Sequence, residues 1–305
     1  MQRYIFKRIV QAIFCVVGVT IIVFSLTRLS GDPLSLLLAP DAMQEDVEEM
    51  ISILGLDEPF HVQYWDFISR AVQGDFGKSL RWKRPCIDIF LEKFPNTLQL
   101  AVLSMAWALL VGISVGILSA VKVGTWFDNF GKIFALLGQA TPVFWLGIML
   151  MMVFAVNFRW LPTSGMGGIE NLILPSVTLG WIFTASITRL TRSAMLDVLD
   201  SEYIKMARIK GVPERFVIIK HAFKNAMIPV VTVASLQFIT LLNGTVITET
   251  VFNWPGVGRL VVDSIFARDY PMVQTVVLIA SCLFVFTNLA VDILYAYIDP
   301  RIRYK

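Results

Sequence analysis

The sequence predicts an all-α integral membrane protein with six transmembrane helices. Hydrophobic residues make up 56% and charged residues only 16% of the 305 residues, and the mean hydropathy of +0.69 is far above that of a water-soluble domain. Six long runs contain no Asp, Glu, Lys or Arg, and about 20 helical residues cross a hydrocarbon core. The runs lack the alternation of barrel strands, so each is predicted to be a helix. They are 9–27, 94–121, 133–158, 171–188, 225–248 and 270–291.

The first run follows Arg3, Lys7 and Arg8 and therefore looks at first like a signal peptide. It is long for that purpose, and Leu29 to Pro33 contains no small-x-small cleavage site. We expect the run to remain as the first helix. Segment 30–93, which is rich in Pro, Gly and aromatic residues, is predicted to fold as short helices at the outer face.

The distribution of Lys and Arg predicts that both chain ends lie in the cytoplasm. With that orientation, 16 Lys and Arg residues lie inside and 10 outside. Segment 28–93 is too long to follow the positive-inside rule, and leaving out its 7 basic residues sharpens the contrast to 16 against 3. The distribution of charge therefore carries more information than the net charge of +3, and no nucleic-acid partner is predicted.

Four domains follow from the runs and their orientation. They are an N-terminal tail with the first helix (1–29), a periplasmic segment (30–93), a transmembrane domain of five helices (94–298) and a cytoplasmic tail (299–305).

The long cytoplasmic loop 189–226 is predicted to form a helical elbow. Asp200 or Ser201 can cap a short helix, Gly211 can stop it, and Pro213 suits the first turn of the next helix. Composition leaves two interpretations open, because such an elbow can dock into a soluble partner or lie on anionic headgroups of membrane lipid. Its apolar positions at helical spacing are Tyr203, Met206, Ala207 and the stem of Lys210.

The elbow resembles the cytoplasmic loop of ABC importer permeases of the dipeptide/oligopeptide/nickel family. The similarity rests on YIKMARIKG at 203–211 and HAFKNAMIP at 221–229. It extends over nearly the whole chain. Within the family, the sequence is most similar to dipeptide or glutathione permease subunits. The further matching segments are 31–33, 54–57, 74–77, 161–163, 249–260, 291–295 and 299–304.

This resemblance implies a permease subunit that moves dipeptides, oligopeptides or glutathione across the bacterial inner membrane, with a nickel or metal-chelate importer as the alternative. Lys205 and Met206 replace the Glu and first Ala of the general motif Glu-Ala-Ala-x3-Gly, a departure usual in the peptide branch. The implied partners are a second homologous permease subunit, two cytoplasmic ATPase subunits and a periplasmic substrate-binding protein. The ATPase-docking role falls on Tyr203, Met206, Ala207, Arg208, Lys210, Gly211 and Pro213.

Polar residues inside two runs are predicted to line a translocation path. The fifth run carries them at i, i+3, i+7 and i+11, on one helical face. The third run carries them beside a proline that permits a hinge or a simple kink. The set in the fifth run can instead bridge neighbouring helices. The first set is Gln237, Thr240, Gly244 and Thr248, and the second is Gln139, Thr141 and Pro142.

The sequence predicts no catalytic residue, no metal site and no cofactor in this chain. Residues 77–79 (GKS) resemble the end of a phosphate-binding loop, but Val72 stands where its first Gly is needed. Hydrolysis of ATP, with its Mg, is therefore assigned to partner ATPases. The runs contain no acid or base, which disfavours a stand-alone secondary transporter coupled to protons or sodium.

An intramembrane serine protease is the remaining alternative. Residues 112–116 have the form Gly-x-Ser-x-Gly, with Ser114 as the nucleophile. Such a serine needs a base within hydrogen-bond reach, and His61 and His221 lie outside the runs on opposite predicted sides. We therefore interpret Gly112 and Gly116 as a helix-packing pair.

Overall fold

The computed structural model describes residues 2–29, 57–243 and 245–298, and this part of the chain is mostly helical. The all-α fold class is therefore confirmed. The helices are α1 (Gln2–Leu29), α2 (Phe60–Val72), α3 (Cys86–Val121), α4 (Trp126–Ala140), α5 (Val143–Leu150, continued by the π-helical Met151–Asn157), α6 (Glu170–Leu199), α7 (Glu202–Ile209), α8 (Glu214–Phe216, continued by the π-helical Val217–Phe223), α9 (Lys224–Asn243), α10 (Thr245–Val251), α11 (Val257–Phe266) and α12 (Tyr270–Ile298).

Five helical segments of the described chain are long and apolar enough to cross a membrane, and each overlaps a predicted run. Several helices extend beyond their runs: for example, α3 begins at Cys86, before the run 94–121, and α6 continues to Leu199, beyond the run 171–188. Helical backbone satisfies its own hydrogen bonds in water as in lipid, so the helix does not stop where the hydrocarbon does. The five segments are Phe6–Ser25, Cys86–Val121, Glu170–Leu199, Glu214–Leu242 and Tyr270–Ala290.

The third predicted run is two helices and not one. α4 and the segment Val143–Asn157 meet at an angle of 108°, which is sharper than a simple kink. Thr141 is extended (φ −86°, ψ 123°) and Pro142 precedes the first turn of α5. Proline disfavours the helical conformation in the residue before it and has no N–H to donate, so the helix ends at Ala140. The count of six spans depends on how this bent pair is placed in the membrane.

The chain divides into two compact units within α3. The first unit consists of Met1–Pro95 and Gly256–Lys305, and the second is Asn96–Pro255. In the first unit α1 packs along α12, and α2 packs on α1 through the buried ring of Phe24. The described part of the predicted outer segment 30–93 consists of α2, the loop that follows it and the first residues of α3, and residues 30–56 lie outside the described residues.

Asp269 holds the loop before α3 in the first unit. The Ser79 hydroxyl and the Leu80 and Arg81 backbone N–H groups donate to its carboxylate, the latter two at 3.1 and 3.2 Å. The Met272 N–H also donates to it, at 3.4 Å. A buried carboxylate with this many donors is fully satisfied, so residues 79–81 are joined firmly to the start of α12.

Helix α6 is the centre of the second unit, where it packs against α4, α5 and α9. Glycines of α3 allow that helix to approach it closely as well. A Cβ added at Gly112 would lie 2.9 Å from the Ile187 side chain, and one added at Gly116 would lie 2.7 Å from Thr191 Cβ. The Ser114 hydroxyl donates to Leu110 O of its own helix at 2.6 Å. The structure therefore agrees with the interpretation of Gly112 and Gly116 as a packing pair.

Replacing Gly116 by Val should destabilise the second unit by about 2 kcal/mol, because a Cβ and its two methyl groups must be fitted against a neighbouring helix. The backbone oxygen of Thr188 lies 2.8 Å from the new Cβ and cannot rotate away. Thermal unfolding of the purified chain in detergent measures the loss. The matched control is Gly18→Val on α1, where a Cβ meets nothing within 4 Å; an equal loss in both variants would contradict close packing at Gly116.

Candidate functional site

The elbow forms as the sequence predicts, around α7. Ser201 takes the extended conformation that precedes a helix (φ −69°, ψ 150°), and its carbonyl accepts the N–H groups of Ile204 and Lys205 at 3.1 and 3.2 Å. The Ser201 hydroxyl does not cap the helix and donates instead to Val198 O at 2.5 Å. The helix therefore begins at the predicted residue with a different hydrogen bond from the expected one.

The end of α7 is a Schellman motif centred on Gly211. The Gly211 N–H donates to Arg208 O at 3.0 Å, and the Val212 N–H donates to Ala207 O at 3.2 Å. This pair of hydrogen bonds requires a left-handed backbone conformation at Gly211, which has φ +77°. Pro213 then precedes α8 as its N-cap residue. The predicted stop and restart are thus both present.

Ile204 anchors α7 to the second unit. Its side chain is fully buried and belongs to an apolar cluster formed by α3, α6 and the segment after the turn. Sequence reasoning missed this residue, because it assigned the apolar face to Tyr203, Met206, Ala207 and Lys210. Only Ala207 of those four contacts the cluster, and it is half-buried. The other members of the cluster are Ala120, Ala194, Met195, Val217, Ala222 and Ala226.

The opposite face of α7 is exposed and carries large apolar side chains among cations. Tyr203, Met206 and Ile209 are 46%, 52% and 78% exposed. Lys210 is exposed beside them, and Arg208, four residues after Ile204, is exposed at the edge of this face. We call these five residues the elbow surface. Three large apolar side chains on a helix of eight residues form a patch of the kind that partner proteins cover.

Ion pairs and hydrogen bonds hold the elbow surface in one orientation. Arg208 donates to both Glu214 carboxylate oxygens, at 3.1 and 2.7 Å, across the turn, and Asn225 Nδ2 donates to the Tyr203 hydroxyl at 3.0 Å. The hydrogen bond with Glu214 raises the pKa of Arg208, and those with Glu202 and Asp200 raise the pKa of Lys205. Both ion pairs therefore favour the charged forms of these side chains.

The structure separates the polar residues predicted to line a path in the fifth run. Gln237 is half-buried and donates to Ser186 Oγ of α6 at 2.6 Å. Thr240 is exposed, and its hydroxyl lies 3.4 Å from Leu236 O of its own helix. Thr248 is buried on α10. Gly244 lies outside the described residues. Of these residues, Gln237 is the one that joins two helices.

The three path residues of the third run lie at the break between α4 and α5. Gln139 accepts a hydrogen bond from Arg189 Nη1 at 3.1 Å, the Thr141 hydroxyl donates to Leu137 O at 2.7 Å, and Pro142 is exposed. Among the described members of the two sets, none has a hydrogen bond or ion pair with the elbow surface. Within the described part of the chain, no group of three His, Cys, Asp or Glu side chains could hold a metal ion.

Comparison with known families matches both parts of the chain. Residues 112–304 match the family described as "Binding-protein-dependent transport system inner membrane component". Residues 1–101 match the N-terminal part of such membrane components. The matches together include the elbow and both compact units.

Curated relatives match the chain from end to end. It is 45% identical to the glutathione transport system permease protein GsiC of Salmonella typhimurium strain LT2, over 306 residues that cover 100% of both proteins. It has the same identity and coverage with the protein of that name from Escherichia coli strain K12. The resemblance to peptide-branch importer permeases is thereby confirmed.

Solved structures show a similar fold. One is a MetNI methionine ABC transporter in an inward-facing conformation, with a TM-score of 0.57 and 18% identity over 70% of this chain and 97% of that one. Another is an amino acid ABC transporter with histidines, with a TM-score of 0.56 and 13% identity over 69% of this chain and 94% of that one. With its family matches, full-length relatives and apolar helices taken together, the chain belongs to the family of binding-protein-dependent transport system inner membrane components and is a multi-pass inner-membrane protein.

Proposed function

We propose that this permease subunit imports glutathione or similar short peptides, and that the elbow surface is where a cytoplasmic ATPase docks. In the proposed topology the chain crosses the membrane six times with both ends in the cytoplasm. A second, homologous permease, two ATPase subunits and a periplasmic substrate-binding protein complete the importer. ATP and Mg are bound by the ATPases, and this chain is not itself an enzyme.

The observation that carries the docking proposal is the two-sided character of α7. One side is anchored through Ile204 in the apolar cluster of the second unit, and the other presents Tyr203, Met206 and Ile209 to a partner. An anchored helix with an exposed apolar face can both bind a partner and transmit its movement. The cations Arg208 and Lys210 favour an acidic rim on that partner.

The connections of α7 indicate which helices would move if the ATPase displaced the elbow. Ser201 and the end of α6 lie immediately before it, and the turn at Gly211 leads through α8 into α9. The ion pair of Arg208 with Glu214 joins the two sides of that turn. A displacement of the elbow by the ATPase would therefore move α6 and α9 together, as a rigid-body switch between two arrangements requires.

The relatives support the proposed substrate. Their printed names specify glutathione, and the identity of 45% extends over the whole chain. Lys205 and Met206, at the positions where the general importer motif has Glu and Ala, agree with the peptide branch. Uptake of labelled glutathione by cells that express the complete importer, compared with cells lacking this permease, tests the substrate assignment.

Replacing Ile209 by Asp tests the docking surface. Ile209 is 78% exposed, so the change leaves the core intact, but it puts a carboxylate into an apolar contact. We expect at least a tenfold loss of ATPase affinity, which corresponds to about 1.4 kcal/mol. The measurement is the amount of ATPase that co-purifies with the affinity-tagged permease in mild detergent.

The matched control is Ile169→Asp. Ile169 is 79% exposed and lies in the loop before α6, which the proposed topology places outside. Its variant should retain the ATPase. Retention of the ATPase by Ile209→Asp at the wild-type level would contradict docking on this surface, whereas a permease that purifies without any ATPase would contradict the importer itself.

A further inference from the structure

A pocket with a volume of about 360 Å³ lies between α4 and α6. Lys132 of α4 and Arg189 and Arg192 of α6 line it, together with Gln139 and the apolar Leu136. No acidic side chain is among its lining residues. Three basic residues therefore line one pocket between two helices and favour an anion there. None of them belongs to the elbow surface.

A buried carboxylate beside the pocket sets the positions of two of these cations. Asp128 is fully buried. It accepts hydrogen bonds from Arg192 Nε and Nη2 at 2.7 and 3.1 Å, from the Ser119 hydroxyl at 2.8 Å and from the Gly124 N–H at 3.0 Å. Lys132 Nζ lies 2.9 Å from the same carboxylate. One negative charge faces three positive ones, so the pocket keeps an excess of two positive charges.

Arg189 supplies the third charge and has free donors. Its Nη1 donates to the neutral Gln139 at 3.1 Å, and within the described chain no carboxylate forms an ion pair with it. A guanidinium carries five N–H donors in a planar fork that fits phosphate or carboxylate oxygens. The remaining donors are therefore available to an anion in the pocket.

The position of the pocket along the chain indicates which anion. Lys132 directly precedes the uncharged run 133–158, and Arg189 directly follows the run 171–188. In the proposed topology both cations lie at the cytoplasmic end of the hydrocarbon, which is the level of the phospholipid phosphates. Ile133 and Leu137 of α4 are 57% and 53% exposed and can contact acyl chains.

We propose that this pocket binds the phosphate headgroup of an anionic phospholipid. A basic pocket between membrane helices on the cytoplasmic side suits such a headgroup, and Leu136 at its wall suits the chain attached to it. The bound lipid joins α4 to the part of α6 that leads to the elbow. Gln139 then serves this lipid site and not the translocation path, since its amide orients Arg189.

Titration of the full-length purified chain with phospholipids, followed by native mass spectrometry, tests the proposal. The probes are phosphatidylglycerol, the zwitterionic phosphatidylcholine and inorganic phosphate. We expect phosphatidylglycerol to bind most tightly. Equal binding of phosphatidylcholine would overturn the requirement for an anion. If inorganic phosphate displaced phosphatidylglycerol and bound with the same affinity, the pocket would be a site for free phosphate and the lipid proposal would be wrong.

Variants of Arg189 test whether phosphatidylglycerol binds in this pocket. Arg189→Gln should weaken phosphatidylglycerol binding about fivefold, the effect of one cation near a membrane surface. Arg189→Lys keeps the charge and should retain most of the affinity. The matched control Lys220→Gln removes an exposed cation outside the pocket and should change nothing. Equal affinities of wild type and Arg189→Gln would refute the site, whether or not the importer transports glutathione.

Discussion

Replacing Gly211 by Val is expected to abolish uptake by the importer while the chain still inserts into the membrane. Gly211 has φ +77°, and a residue with a Cβ loses about 1–2 kcal/mol in that left-handed region. A β-branched side chain is strained further. The turn must then reopen, and the hydrogen bonds that end α7 at Ala207 and Arg208 are lost. The elbow surface would no longer be presented at a fixed angle.

The effect should be confined to the turn, because a Cβ added at Gly211 meets no atom within 4 Å. Uptake of labelled glutathione and the amount of permease in the membrane fraction are measured side by side. Gly211→Asn should keep substantial uptake, since Asn tolerates the left-handed conformation. Gly165→Val is the matched control, with φ +86° and equally open surroundings. Wild-type uptake by Gly211→Val would remove the elbow from the mechanism.

Replacing Asp128 by Ala is expected to give the largest loss of stability. The carboxylate is fully buried, and without it Arg192 loses its bidentate partner while Ser119 and Gly124 lose an acceptor. Removing one member of a buried ion pair costs about 3–5 kcal/mol, and we expect the lower end because Lys132 is half exposed. Denaturant or thermal unfolding of the purified chain in detergent measures the change.

Two further variants separate the ion pair from a general effect of charge. Asp128→Leu combined with Arg192→Met removes both charges and should recover much of the stability, since an apolar pair of similar size replaces them. Glu92→Gln removes an exposed partner of Arg84 and should leave the unfolding midpoint unchanged. If Asp128→Ala unfolded at the wild-type midpoint, the buried network would have no role in stability.

Local chemistry made much of the fold predictable. Each uncharged run is a property of consecutive residues, and in lipid such a run has to be helical. The stop of α7 at Gly211 and the restart after Pro213 are equally local, because they depend on the φ angles that Gly and Pro permit. The break at Pro142 also has a local cause, but its angle of 108° depends on the helices that receive the two halves.

The candidate site was predictable in position but only partly in orientation. The sequence predicts the elbow between Ser201 and Pro213, and α7 lies there. Which side of α7 is buried was not predictable, since Tyr203 and Ile204 are both apolar and a helix of eight residues can rotate to bury either. The cluster around Val217 and Met195 selects Ile204. The polar stripe of the fifth run stays a prediction: Gln237 contacts α6, Thr240 is exposed and Thr248 is buried on α10.

The sequence by itself determined that this protein is an all-α membrane protein with a helical elbow between two spans, and its motifs determined the family. Only the tertiary structure decided which face of the elbow is exposed, how Asp128 pairs with Arg192, and that Lys132 and Arg189 line one pocket. The physical reason is the distance along the chain over which each interaction acts. Apolar length and backbone conformation are set by neighbouring residues, whereas helix rotation and charge pairing depend on surfaces that come from distant parts of the chain.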